Sequence, residues 1–218
     1  MTKQEFVAEL RDTLDNNILN YWIDKMTDRR GGYYGRRDGH DLLHPDAEKG
    51  AILNGRILWT FSTAYRLTKD ERYAEAALRA RDYIAQHFID PEYGGVYWSV
   101  TADGEPLDTK KQYYAIAFVI YGLAEHYRAT GDEASLEMAR RLFHDIENHS
   151  LDRGKGGYIE ASQRDWSPIA DMRLSEKDAN TYFSMNTHLH LLEPYANLLR
   201  VWREDRVATA VRKLIHIH

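Results

Sequence analysis

Three Gly-Gly segments recur along this chain: Gly31-Gly32-Tyr33-Tyr34, Gly94-Gly95-Val96-Tyr97 and Gly156-Gly157-Tyr158-Ile159. They begin at residues 31, 94 and 156, which are 63 and 62 residues apart. A second marker keeps the same period, because Asp70-Glu71 returns 62 residues later as Asp132-Glu133. A fixed period of this length is typical of folds that stack one supersecondary unit. The sequence therefore predicts a repeat architecture with a unit of about 62 residues.

Two kinds of helix alternate within the predicted unit. Residues 4–24, 71–87 and 133–147 carry apolar side chains every three or four positions, the pattern of a helix with one buried face. Residues near 51–66, 112–128 and 179–199 are apolar almost all round, which indicates burial on every side. Burial of every second helix predicts a double ring, with inner helices surrounded by outer ones and the Gly-Gly segments forming short β-hairpins at one end.

The repeat count bears on domain organisation. An all-α (α/α)6 toroid of six such helix pairs needs roughly 370 residues, whereas this chain has 218. We therefore expect residues 1–218 to form a single domain, the N-terminal part of such a barrel with about three and a half helix-pair repeats. The alternative is a complete, smaller helical domain.

Composition excludes several classes of function. A net charge of −5 gives no electrostatic signature for nucleic acid or an anionic membrane. The chain has no cysteine, which excludes a disulfide framework and fits a reducing compartment, so we expect a cytoplasmic protein. Aromatic residues make up 12% of the chain, and this content fits either a large core or an aromatic-lined groove.

Arg56 is the most informative polar residue within the apolar helices. Its guanidinium is permanently charged and presents a planar set of donors. In the toroid it is expected to point into the central cavity, where it can bind a hydroxyl, a carbonyl oxygen or a developing enolate. The competing interpretation is a buried ion pair with Glu48 or Glu125.

Polar candidates on the other two inner helices are Tyr114, Asn186 and His190. Asn186 and His190 are four residues apart and share one helical face, and Pro194 predicts a kink next to them. Tyr114 offers a stacking surface and one hydroxyl. Each of these side chains is also compatible with an ordinary role in the core. The segment His40–His44 lacks a metal-binding pattern, so we expect no metal site.

Three stretches around these residues carry a resemblance to a known family. They are residues 54–62 (NGRILWTFS), 111–118 (KQYYAIAF) and 186–193 (NTHLHLLE). Together with the Gly-Gly segments they make the chain similar to the N-acylglucosamine 2-epimerase superfamily, and most of all to its cellobiose 2-epimerase branch. The resemblance covers essentially the whole chain and implies an (α/α)6 barrel that interconverts sugar epimers at C2 of a reducing-end residue.

The resemblance also implies roles for individual residues and no cofactor. Arg56 matches a catalytic arginine that binds near the reacting sugar, and Tyr114, Asn186 and His190 match substrate-binding positions. The implied chemistry opens the sugar ring, removes the C2 proton to form an enediol, and reprotonates it from the other face. The histidines that serve as base and acid in the family lie on later inner helices, so we expect the chain alone to be inactive.

Two other functions remain open at this point. One is a non-catalytic carbohydrate-binding or interaction half barrel, and the other is a glycoside hydrolase on the same fold, which needs two well-placed carboxylates. The expected partner is a disaccharide or monosaccharide, with no nucleic acid or membrane. A half ring leaves apolar flanks exposed, so we also expect self-association or pairing with the rest of a barrel.

Overall fold

A computed structural model of the chain describes residues 1–217. The α-helices are α1 (Lys3–Asp12), α2 (Asn20–Met26), α3 (Ala51–Thr68), α4 (Glu71–Tyr83), α5 (Tyr113–Thr130), α6 (Glu133–His149), α7 (Met185–Val201) and α8 (Asp205–Ile217). Two π-helical segments continue α1 and α4, Thr13–Leu19 and Ile84–Phe88. The strands are short: β1 (Lys49–Gly50), β2 (Ser99–Val100), β3 (Pro106–Asp108), β4 (Lys111–Gln112) and β5 (Ala161–Ser162).

The helices form two layers, as the alternating pattern predicts. Helix α5 packs between α3 and α7 to make the inner layer. On the outside, α4 packs against α3, α6 against α5, and α8 against α7. The predicted all-α class with inner and outer helices is therefore confirmed. No helix among residues 1–217 has the length and apolar character needed to cross a membrane.

Glycines allow an unusually close approach of α3 and α5. A Cβ atom placed on Gly55 would lie 2.7 Å from the carbonyl oxygen of Phe118, and one on Gly122 would lie 2.7 Å from the carbonyl oxygen of Gly55. No real side chain tolerates such distances, so glycine is required at this crossing. The two helices consequently meet backbone to backbone, immediately beside Arg56 and Phe118.

The burial of the inner helices differs from the expectation at the ends of the inner layer. Helix α5 is almost wholly buried, but α7 buries seven of its 17 residues while the outer helix α6 buries eight of 17. The prediction that inner helices are the more buried is therefore right for α5 and wrong for α7. The reason is position, because α5 has an inner neighbour on both sides and α7 on only one.

One predicted helix boundary and the burial of the first outer helix also need correction. The third inner helix starts at Met185, so residues 179–184 belong to the preceding loop. Ser184 caps it by accepting from the Thr187 N–H at 3.1 Å, and buried Glu160 accepts from the Ser184 N–H at 2.7 Å. At the other end of the chain α1 has no buried residue, so the first outer helix is more exposed than its pattern predicts.

Strand pairing joins successive repeats with one register. Lys49 pairs with Val100, and 62 residues later Lys111 pairs with Ser162. Each Gly-Gly segment also closes a small antiparallel bridge, Thr27 to Tyr33, Ile89 to Val96 and Leu151 to Tyr158. The Gly-Gly segments therefore form antiparallel turns where the sequence predicts hairpins, each reduced to a single bridge, while β2 and β3 form a hairpin of two and three residues.

A buried lysine fastens the Gly-Gly turn in each of the first two repeats. Lys49 Nζ lies 2.9 Å from Asp28 Oδ2 and donates to the Gly31 carbonyl. Lys111 Nζ repeats this arrangement with Asp90 at 2.8 Å and the Gly94 carbonyl at 2.8 Å. Each lysine is the first residue of the two-residue strand just before an inner helix, so each pair ties a Gly-Gly turn to the start of α3 or α5.

The second of these pairs is fully removed from water. Both side chains, Lys111 and Asp90, are 0% exposed. Burial alone would raise the pKa of Asp90, but hydrogen bonds from Arg164 and Lys111 outweigh it and hold this pKa well below its ordinary value. The Asp90 carboxylate therefore stays charged at neutral pH.

Replacement of Lys111 with methionine tests this role. We expect Lys111→Met to lower the free energy of unfolding by about 1–3 kcal/mol, because the buried Asp90 carboxylate loses its charge-assisted hydrogen bond from Lys111 and keeps only those from Arg164. The control is Lys110→Met, since Lys110 is partly exposed and pairs only with the exposed Asp108. Urea unfolding followed by circular dichroism measures both variants. Equal stability of the two would contradict the account.

Candidate functional site

Three of the predicted site residues meet on the inner layer. Arg56 on α3 donates from Nη2 to the Tyr114 hydroxyl on α5 at 3.3 Å. The imidazole of His190 on α7 lies edge-on to the Tyr114 ring, with 4.8 Å between ring centroids. Side chains from three consecutive inner helices thus form one cluster.

Phe118 is a member of this cluster that sequence reasoning missed. The Arg56 guanidinium lies over its ring at 4.4 Å from the centroid, and the His190 ring is 5.2 Å away. Such a cation–π contact fixes the plane of the guanidinium without neutralising its charge. Phe118 lies one helical turn after Tyr114, and this spacing was the available signal.

Glu193 is the second residue that the sequence analysis left out. Its Oε2 accepts a hydrogen bond from His190 Nδ1 at 2.8 Å, three residues earlier on α7. The helix continues through Pro194 to Val201. The signal was present, because Glu193 ends the third stretch that carries the family resemblance.

Asn186 stands apart from the other predicted residues. It lies one turn before His190 on the same face of α7, but it is exposed and lines a separate cleft of about 290 Å³ beside Glu160 and Arg173. Among residues 1–217, no hydrogen bond joins Asn186 to Arg56, Tyr114 or His190. The structure therefore brings three of the four predicted residues together and places Asn186 one helical turn from His190, in a separate cleft.

Arg56 has no carboxylate partner among residues 1–217. Glu125, one of the two expected competitors, pairs with Arg66 at 2.7 Å, and Glu48 accepts from Ser99 at 2.9 Å. The alternative of a buried Arg56 ion pair is therefore wrong. The guanidinium is exposed on the inner surface, and its remaining donors are available to a ligand.

Comparison with known proteins assigns the family. The family model for N-acylglucosamine 2-epimerase (GlcNAc 2-epimerase) matches residues 32–198. The chain belongs to this family. The cellobiose 2-epimerase of Bacteroides fragilis is 58% identical over 208 residues, which are 95% of this chain and 53% of that protein. The cellobiose 2-epimerase of Ruminococcus albus is 39% identical and covers 94% of this chain and 52% of that protein.

A solved structure confirms the predicted architecture. The cellobiose 2-epimerase from Bacillus thermoamylovorans superposes with a TM-score of 0.94 at 38% identity, covering 98% of this chain and 55% of that one. The fold is thus about half of an epimerase (α/α)6 structure. The chain spans about half the length of the curated relatives that it matches.

The second histidine of α7 has a different character from His190. His188 is 3% exposed, and both ring nitrogens are occupied. Nδ1 donates to the Ser184 carbonyl at 2.6 Å, and Nε2 accepts from the Tyr158 N–H at 3.0 Å. With no free nitrogen, His188 serves in this epimerase-family chain as a structural support of the third Gly-Gly hairpin.

The protonation state of Tyr114 determines whether its hydroxyl can donate a hydrogen bond to a ligand. Burial raises the pKa of Tyr114 above its ordinary value, although the charge of Arg56 lowers it. The phenol therefore stays protonated and can donate. Among residues 1–217, no group of three or more His, Cys, Asp and Glu side chains is placed to hold a metal ion.

The two histidines of α7 should respond differently to truncation. We expect His188→Ala to lower the free energy of unfolding by about 1–3 kcal/mol, because the buried Tyr158 N–H loses its acceptor. His190→Ala should cost less than about 1 kcal/mol, since its hydrogen bond goes to a partly exposed carboxylate. Thermal or urea unfolding provides the comparison, and a larger loss for His190→Ala would contradict the structural role of His188.

Proposed function

We propose that the chain supplies the sugar-binding half of a carbohydrate 2-epimerase that acts on the reducing-end glucose of a β-1,4-disaccharide such as cellobiose. The observation that carries this proposal is the unpaired Arg56 guanidinium, held against Phe118 and Tyr114 on the inner surface. Membership of the epimerase family and the names of its relatives support the substrate class.

The proposed role of Arg56 follows from its lack of a carboxylate partner among residues 1–217. Epimerisation at C2 passes through an enediol in which negative charge develops on the oxygens next to the reacting carbon. A fixed, uncompensated guanidinium stabilises such charge better than one already paired with a carboxylate. Tyr114 adds a second donor on the same side, and the hydrogen bond between the two residues holds both in place.

We assign proton transfer to residues outside the cluster. Removal and return of the C2 proton need a base and an acid on opposite faces of the enediol. Among residues 1–217 the cluster contains one imidazole, that of His190, and one imidazole does not reach both faces of the enediol. We therefore assign orientation and charge stabilisation to this chain, and the acid/base pair to the later histidines that the family resemblance implies.

A glycoside hydrolase is the weaker alternative. That chemistry requires two carboxylates about 5–9.5 Å apart, flanking the scissile bond. Glu193 is the one carboxylate among residues 1–217 with a hydrogen bond to the cluster, and it is engaged by His190. Release of glucose from cellobiose would favour the hydrolase, whereas binding without any conversion in a full-length barrel would favour a non-catalytic role.

Cellobiose binding by the chain tests the proposed site. We expect Arg56→Ala to weaken binding by about tenfold or more, the scale for loss of a charge-assisted hydrogen bond. Isothermal calorimetry or NMR titration measures the effect. The control is Arg72→Ala, because Arg72 is exposed on α4 and pairs with Asp70. Equal binding by both variants would refute the assignment of Arg56.

A further inference from the structure

The contact between His190 and Glu193 determines which imidazole nitrogen carries hydrogen. Glu193 Oε2 lies 2.8 Å from His190 Nδ1. An ionised carboxylate only accepts, so Nδ1 must donate and hold the hydrogen. In a neutral ring the other nitrogen, Nε2, then has a free lone pair. No hydrogen bond occupies His190 Nε2 within residues 1–217.

The environment of the ring fixes its orientation as well as its tautomer. His190 packs edge-on to Tyr114 and at a tilt to Phe118, with centroid distances of 4.8 and 5.2 Å. Its side chain is 21% exposed, so it is partly open to a ligand. Glu193 follows by three residues on the same helical face, a spacing at which side chains meet.

We propose that Glu193 is a positioning residue, which locks His190 in the Nδ1–H tautomer so that Nε2 accepts a hydroxyl hydrogen from the sugar. The inference rests on the proposed function for the identity of the ligand. A sugar hydroxyl both donates and accepts, so it fits a site where Arg56 and Tyr114 donate and His190 accepts. With the opposite tautomer His190 would present a third donor, and the hydroxyl hydrogen would lose the acceptor that the ring supplies.

His188 provides an internal reference for the test. Its neighbours impose the same Nδ1–H tautomer, because Nδ1 donates to the Ser184 carbonyl and Nε2 accepts from the Tyr158 N–H. Neither contact involves Glu193. A change at His190 that leaves His188 unaffected therefore reports on Glu193 rather than on unfolding of α7.

The experiment is ¹⁵N NMR of the imidazole rings in the 218-residue chain at alkaline pH, where the rings are neutral. We expect the wild-type His190 signals to show Nδ1 protonated and Nε2 unprotonated. Glu193→Ala should shift His190 towards the Nε2–H tautomer, and Glu193→Gln should restore Nδ1–H, because the amide oxygen can still accept. The control is Glu137→Ala, since Glu137 lies on α6 and its nearest cationic groups are 3.9 Å away.

The results separate the positioning role from the identity of the ligand. A wild-type His190 in the Nε2–H form, or a Glu193→Ala spectrum equal to wild type, would overturn the proposal. In a cellobiose titration we expect Glu193→Ala to weaken binding about two- to tenfold, with recovery in Glu193→Gln. If the tautomers behave as expected but wild type binds no cellobiose, the positioning of His190 stands and the assigned sugar is wrong.

Discussion

The site depends on the close crossing of α3 and α5. Gly55 and Gly122 let the two backbones approach to a distance that any side chain would block. Arg56 follows Gly55 directly, so the same crossing carries its guanidinium onto Phe118 and next to the Tyr114 hydroxyl. A wider helix spacing would leave Arg56 without its aromatic support and would separate the two donors. Backbone packing and the arrangement of Arg56, Phe118 and Tyr114 are therefore coupled at one point of the inner layer.

Contacts at the Gly-Gly hairpins hold the N-terminal ends of the inner helices in place. Buried Asp–Lys pairs fasten the first two Gly-Gly hairpins to the starts of α3 and α5. The third repeat uses another device, because His188 on α7 itself accepts from the hairpin backbone. Two histidines that lie close together on α7 therefore have different roles. His188 faces the hairpin as a structural acceptor, while His190 faces the cluster with a free nitrogen.

The sequence predicted the parts of the fold that depend on periodicity. The 62-residue spacing and the alternation of amphipathic and fully apolar helices require a two-layered arrangement, and the structure has it. Arg56, Tyr114 and His190 were selected as polar side chains on apolar helices, where burial is costly unless such groups are paired. Their convergence was expected from the family resemblance. Burial of α1 and α7 was misjudged because it depends on neighbouring elements that a local pattern does not contain.

Phe118 and Glu193 were missed for different physical reasons. An apolar ring on an apolar helix looks like ordinary core, and only the position of Arg56 above it reveals its contribution. Glu193 is a partly exposed carboxylate, and such residues are common on helix surfaces. Its hydrogen bond to His190 is evident only from the three-dimensional structure. Asn186 was placed in the cluster because it shares a helical face with His190 and because the family resemblance matches it to a substrate-binding position. That face of α7 also borders the preceding loop, and Asn186 lines the cleft between the helix and this loop.

The central proposal is that this chain binds the reducing end of a disaccharide and that residues outside the Arg56 cluster move the C2 proton. The most direct measurement is NMR of cellobiose incubated with the chain in D₂O, recorded for saturation transfer and for deuterium incorporation. The account predicts saturation transfer to the reducing-end ring and no deuterium at C2. Deuterium at C2 would show that residues of this chain supply acid and base, and absence of saturation transfer would show that the cluster is not a sugar site.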